Sequence, residues 1–268
     1  MANIDTWIKL VMQDGYSTAR ATAKVSQDII LRAIEASDFG RNITVKGGVV
    51  MHSITGNARR ATLDMDLDFI RYSLEEESIQ KFISRLNCLD GITIRIAAPI
   101  EELSQQEYRG KRVYIIIEDD TGHSLRSKID LGVHKQVQIE QDEYCFDVCM
   151  DNEGASLLIN SKEQIFAEKL RSLLRFGPLS TRFKDIFDLC YLSGILNKER
   201  LIQCLDTFIL ADPAIKERNM EEIRKRVHLT FGNRMYRQRL ESKTDANWLN
   251  IGADDACRQI ELFLQGIN

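Results

Sequence analysis

Apolar and polar positions along the chain repeat with two different periods, and the change from one to the other divides it. Segments 4–13 and 18–36 read as helices. In the second, Ala21, Val25, Ile29, Ile30, Ala33 and Ile34 recur at helical spacing as one apolar stripe. Gly40 is a plausible stop. The short strand Ile43-Thr44-Val45 runs into Gly47-Gly48, and Val49, Val50, Met51 and Ile54 then suit a short buried helix broken at Gly56-Asn57. Alternation follows: Met65, Leu67 and Phe69 point to a core, while Asp64, Asp66 and Asp68 share the other face. A helix over 75–86 leads to strands over 92–97 and 111–118, and Asp119-Asp120-Thr121-Gly122 reads as a hairpin loop. On the return strand, Leu125, Ser127, Ile129, Leu131 and Val133 face one way, and Arg126, Lys128, Asp130, Gly132 and His134 the other.

From about Ser161 the period becomes 3.6 and stays there. Ser161 with Gln164 three residues on is a capping-box start, and Gly177-Pro178 ends that helix. Further helices are predicted over 182–193, 198–210, 214–227, 233–242 and 253–264. The whole reads as α+β: a mixed β-sheet flanked by helices over 1–160, then an all-helical domain over 161–268.

Composition narrows the class. The 268 residues are 44% hydrophobic and 28% charged, with three prolines, as in an ordinary globular protein. The longest apolar runs, such as Val113 to Ile117, are far short of a membrane span, and no basic stretch followed by an apolar run marks a secretory signal near Met1. Six scattered cysteines lack the clustered spacing of a zinc site or a disulfide scaffold, so reduced cytoplasmic thiols are expected. Cys145 and Cys149, if both lie on one strand, project from the same face about 13 Å apart. Residues 1–160 carry 18 Lys/Arg against 25 Asp/Glu, and residues 161–268 carry 18 against 15. An acidic half holding a cation and a basic half facing a polyanion would produce that asymmetry.

Candidate chemistry starts at the aspartate strand. Like charges at i, i+2 and i+4 share a face with about 7 Å between successive members, which costs energy unless water or a cation offsets it. The bland alternative is a solvated strand face. Two carboxylates two residues apart can instead clamp Mg²⁺, a hard cation that prefers oxygen ligands and substrate phosphates. Gly47-Gly48 offers backbone N–H groups at a helix start, where an anion can sit; alternatively it is only a tight turn. Asp130 is a third carboxylate on another strand, or one member of a cross-strand charge pair. On the helical side, Arg182, Asp185 and Asp188 share a helix face, with Lys184 among them, and Glu168-Lys169 precedes them. They form either a surface ion-pair lattice or a cation set for a triphosphate.

Taken in order, these pieces carry a resemblance. Val45-Lys46-Gly47-Gly48, then Arg60-Ala61-Thr62-Leu63-Asp64-Met65-Asp66-Leu67, then Lys128-Ile129-Asp130, Ile165-Phe166-Ala167-Glu168-Lys169-Leu170 and Arg182-Phe183-Lys184-Asp185-Ile186-Phe187-Asp188-Leu189 follow a known series. The chain resembles the abortive-infection nucleotidyltransferase toxins of the AbiEii/AbiGii type, within the polymerase-β-like nucleotidyltransferase superfamily. Val49 departs from the pattern, because Ser or Thr usually stands there; Ser53 is the candidate replacement hydroxyl.

The resemblance implies transfer of a nucleoside monophosphate from an NTP to an acceptor, with pyrophosphate released. Asp64, Asp66 and Asp130 would hold two Mg²⁺, with Mn²⁺ as an alternative. Lys46, Gly47, Gly48, Ser53, Lys169, Arg182, Lys184 and Asp188 would serve the nucleotide, with Asp185 or Asp188 positioning the cations. The acceptor implied is RNA, above all tRNA, and the partner an antitoxin in a phage-defence toxin–antitoxin system. The residues alone leave open a small-molecule or protein acceptor, or a catalytically degenerate interaction protein. Arg224, Lys225, Arg226, Arg234, Arg237, Arg239 and Lys243, with Phe231, Tyr236 and Trp248 interleaved, suit single-stranded RNA or else a charged face over an aromatic core.

Overall fold

A computed structural model describes residues 3–103, 110–136 and 138–267. The chain forms two compact units, Met1–Asn160 and Ser161–Asn268. The fold is α+β.

In the first unit, α1 (Ile4–Gln13) and α2 (Thr18–Ala36) precede β1 (Ile43–Lys46), α3 (Gly47–Thr55), β2 (Met65–Phe69) and α4 (Glu76–Arg85). There follow β3 (Ile92–Ile96), β4 (Glu101–Leu103), β5 (Gly110–Asp119), β6 (Ser124–Val133), β7 (Asp142–Phe146) and β8 (Ala155–Ile159). They make one mixed sheet in the order β3-β5-β6-β2-β1-β8-β7, with β4 added on β5. The parallel pairs β2–β6 and β1–β8 sit at its centre, and the remaining pairs are antiparallel. The apolar stripe of α2 is fully buried at Ala21, Val25, Ile29, Ile30, Ala33 and Ile34, and the helix packs against β6 and β8. Each buried Val or Ile side chain there contributes about 1.5–3 kcal/mol.

The alternation read from β2 is observed: Met65, Leu67 and Phe69 are buried in the core. The hairpin loop is also where expected. Burial works against the charge of Asp119, but donors from Thr121, Ile4 and His123 outweigh it and hold the carboxyl at about 2. Cys149 lies beyond the end of β7, so the same-face arrangement with Cys145 does not arise. Among the described residues every cysteine is free, and no helix is long and apolar enough to cross a membrane.

One buried contact ties α3 to the turn before α2. Tyr16 Oη lies 2.6 Å from His52 Nε2, and burial lowers the His52 imidazole to about 4, helped by the charges of Lys24 and Arg60. The folded protein therefore keeps His52 neutral where the unfolded chain takes up a proton, and stability falls as pH drops from about 6.5 toward 4. His52→Gln removes this dependence. The stability difference between wild type and variant should shrink by about 2–3 kcal/mol between pH 7 and pH 4.5, measured by urea unfolding at each pH.

In the second unit, α5 (Lys162–Phe176) packs against α6 (Phe183–Ser193) and α7 (Lys198–Leu205), which a π-helical turn over Asp206–Leu210 extends. Then come α8 (Met220–Phe231), α9 (Arg234–Ser242) and α10 (Ala253–Gln265). Ser161 caps α5, its hydroxyl accepting from Gln164 N–H at 3.1 Å. The helix predicted over 214–227 is displaced. Residues 214–219 stay in a loop with Ile215 buried, and Asn219 caps α8 by accepting from Glu222 N–H.

Candidate active site

The strand-to-helix turn at β1–α3 is built on close approach. Gly47 has φ +68, and a Cβ there would stand 2.6 Å from Asp66 Oδ2. A Cβ on Gly48 would come within 2.7–2.9 Å of the Thr62 side chain. No side chain caps α3, so its first N–H groups are left for an external acceptor, beside a carboxylate. Thr62 brings a hydroxyl against Gly48, whereas Ser53 lies six residues into α3, about 9 Å along the axis from its start. The hydroxyl at the turn is therefore Thr62, and Ser53 is not brought to it.

Strand register assembles the carboxylates. Asp66 stands opposite Asp130 on parallel β6 and opposite Lys46 on antiparallel β1. Asp64, just before β2, is 51% exposed and meets Lys128 Nζ at 2.7 Å. Asp68 is buried, not solvated, and pairs with Lys46 Nζ at 2.6 Å. Gly132, opposite Asp68, leaves room for that carboxylate, since a Cβ would run into it. Asp130 is gripped by Arg112 across β5: Nε donates to Oδ1 at 2.7 Å and Nη2 to Oδ2 at 2.8 Å. That pairing raises the Arg112 guanidinium, chiefly through the Asp130 hydrogen bonds.

Asp66 differs from its neighbours. Burial pushes its carboxyl up to about 6; Lys46 opposes the shift, while Asp130, Asp64 and Asp68 reinforce it. Asp64, Asp68 and Asp130 each meet a basic side chain, and half-buried Asp66, set among them, is the carboxylate that a bound cation would offset. Among the described residues no three ligating side chains converge into a ready-made metal cage. Mg²⁺ does not require one, because it keeps waters and takes substrate phosphates around one or two carboxylates. Asp64 and Asp66 fit that pattern; Asp130, both oxygens engaged by Arg112, fits it less well.

Two positioning features escaped the sequence reading. Gln27 on α2 is buried and donates to the backbone carbonyls of Thr62 at 3.1 Å and Asp64 at 3.3 Å, fixing the loop that carries Asp64. A buried glutamine on an apolar helix gives no clear signal in one sequence. Arg112 did leave a signal: pairing Glu118 with Ser124 across the hairpin loop puts Arg112 opposite Asp130.

The helical unit brings together a second set. Lys169 Nζ on α5 lies 2.6 Å from Asp185 and 2.8 Å from Asp188 on α6. Asp188 is wholly buried and also accepts from Trp248 Nε1–H at 2.9 Å. It therefore sits against Lys169 and Trp248, with no exposed surface of its own. Arg182, 68% exposed, stands 4.0 Å from Asp185, and Lys184 is half-buried one residue before Asp185.

The basic C-terminal segment is also corrected in part. Phe231, Tyr236 and Trp248 are buried and offer no stacking face. Arg224 donates to the carbonyls of Leu264 and Ile267, Arg226 to Leu174, Arg237 to Phe231, and Arg239 to Pro178 and Ser180. Lys225, Arg234 and Lys243 remain exposed.

An open helix start against carboxylates on neighbouring strands is a layout for handling nucleoside triphosphates, and the chain is a nucleotidyltransferase. It belongs to the AbiEii family, described as nucleotidyl transferase AbiEii toxin, Type IV TA system, whose sequence model matches residues 29–249. No curated protein matches it. Among solved structures it is similar to an antigenic nucleotidyltransferase-like protein from Paracoccidioides brasiliensis, at 14% identity and TM-score 0.47, covering 82% of this chain and 94% of that one. It is also similar to the antibiotic-resistance factor ANT(2'')-Ia, at 15% identity and TM-score 0.43, covering 69% of this chain and 92% of that one.

Proposed function

We propose that this toxin-family enzyme moves a nucleoside monophosphate from an NTP to an RNA acceptor, tRNA above all, in the cytoplasm. It would act as the toxin partner of an antitoxin in phage defence. The observation that carries the chemistry is the pairing of Asp66 with Asp130 beside the uncapped glycine start of α3.

In this reading Asp64 and Asp66 hold Mg²⁺, which when bound offsets triphosphate charge and polarises the reacting phosphorus. The N–H groups at Gly47 and Gly48 hold a phosphate oxygen, and Lys46 holds the Asp68 side chain in place. Within residues 161–268, Lys169, held between Asp185 and Asp188, and Arg182 form a cation set suited to phosphate. The excess of Lys/Arg over Asp/Glu in residues 161–268 supports a polyanionic acceptor.

A second reading, with a small-molecule or protein hydroxyl as acceptor, is favoured by the burial of Phe231, Tyr236 and Trp248. Incubation with Mg²⁺, each α-labelled NTP in turn, and either total RNA or an RNA-free extract separates the two. Label in RNA, lost in Asp64→Ala, is expected. Label confined to the RNA-free extract would replace RNA with the second acceptor class.

A further inference from the structure

The way Asp130 is held bears on how many metal ions the site accepts, an inference that rests on the nucleotidyltransferase reading above. Two-ion chemistry needs carboxylates from more than one strand so that ions about 3.5–4 Å apart can be bridged. Among the sequence-predicted ligands, Asp130 alone comes from a strand other than the β2 segment. It is also the most firmly held of them.

Arg112 faces Asp130 directly in the β5–β6 register, and its planar fork takes both carboxylate oxygens, at 2.7 and 2.8 Å. The Asp130 side chain is only 11% exposed. Asp64, by contrast, meets the flexible Lys128 at one oxygen, and half of its side chain faces water. Exposed lysine pairs contribute little, whereas charge-assisted bidentate bonds are both stronger and geometrically fixed. An incoming dication thus displaces Lys128 from Asp64 easily. At Asp130 it would have to break a two-bond fork and then sit beside the released guanidinium.

We infer that this site takes one divalent cation, on Asp64 and Asp66, and that Arg112, locked by Asp130, supplies the fixed positive charge a second ion would bring. Arg112 cannot be deprotonated, and beyond the two bonds to Asp130 and one to Tyr114 its five N–H groups leave donors for a phosphate or acceptor oxygen. It acts as a built-in counter-charge on the β6 side of the site, and Asp130 is its positioning residue.

Counting ions decides the matter. The full-length protein is saturated with the α,β-methylene analogue of each NTP in turn and titrated with Mn²⁺, with bound ions counted by electron paramagnetic resonance. The expected result is one Mn²⁺ per protein–nucleotide complex in wild type and two in Arg112→Gln, whose fold is checked by circular dichroism. Two ions in wild type, or one in a folded Arg112→Gln, would overturn the inference. Should Arg112→Gln fail to fold, the wild-type count still decides, one supporting and two refuting. Failure of the protein to retain any of the four analogues would defeat the nucleotidyltransferase reading itself, an outcome distinct from a count of two.

Discussion

Gly47→Ala should lower kcat/KM for nucleotidyl transfer at least about a hundredfold while costing about 1–2 kcal/mol of stability. The two effects have separate causes. A methyl group at φ +68 strains the backbone, which gives the stability loss. The larger effect is local: the added Cβ would stand 2.6 Å from Asp66 Oδ2, so the carboxylate must swing away from the helix start. Metal-holding and phosphate-holding groups then lose their common geometry together. Steady-state kinetics with a thermal melt on the same sample checks both parts. A variant with near-normal turnover would show that α3 and Asp66 need not approach so closely.

Asp66→Asn should produce the opposite pairing of effects: activity down on the order of 10³-fold, stability up by about 2 kcal/mol near pH 7.5 without divalent metal. Burial raises the folded carboxyl to about 6 from an ordinary 3.8, with neighbouring aspartates adding to the shift. A carboxyl raised on folding favours the fold while protonated, and that contribution is lost as pH rises through about 6. Near pH 7.5 the ionised side chain burdens the fold, and the neutral amide relieves the burden. Urea unfolding in chelator should show the gain at pH 7.5 and little difference near pH 4. An Asp66→Asn variant less stable than wild type at pH 7.5 would mean that Lys46 fully offsets the charge.

These two residues also show what a single sequence could and could not reveal. The alternation at Met65, Leu67 and Phe69 made β2 and its acidic face legible, because a period of two has one burial solution. The change to a helical period at Ser161 was equally plain, and Ser161 does cap α5. Pairing between distant strands was not legible. Nothing in the β2 or β6 segment alone says that they run parallel with Asp66 opposite Asp130, since that register depends on crossovers and on what covers the sheet. The short strands β7 and β8 lie outside the strands read from the pattern, because alternation over only five residues is too brief a signal in the sequence.

The polar contacts were the hardest part. The resemblance supplied Lys169, Asp185 and Asp188 as a group, but not that Asp188 is buried against Lys169. Arginines 224, 226, 237 and 239 looked like a nucleic-acid surface, yet each reaches a backbone carbonyl that the helices leave unpaired or turned outward. Composition cannot separate these uses, because one side chain serves both. Ser53 lies six helical residues beyond the turn, where Thr62, from a different segment, brings its hydroxyl against Gly48.

We propose that the β1–α3 turn and the Asp64/Asp66 pair transfer a nucleotidyl group, not a lone phosphoryl group. The position of the label tests this most directly. One NTP is supplied in two forms, labelled at the α- or the γ-phosphorus, with acceptor RNA, Mg²⁺ and either wild type or Asp66→Asn. Nucleotidyl transfer puts α-label in the acceptor and γ-label in pyrophosphate, and neither with the variant. Transfer of the γ-label to the acceptor, or α-label transfer undiminished in Asp66→Asn, would contradict it.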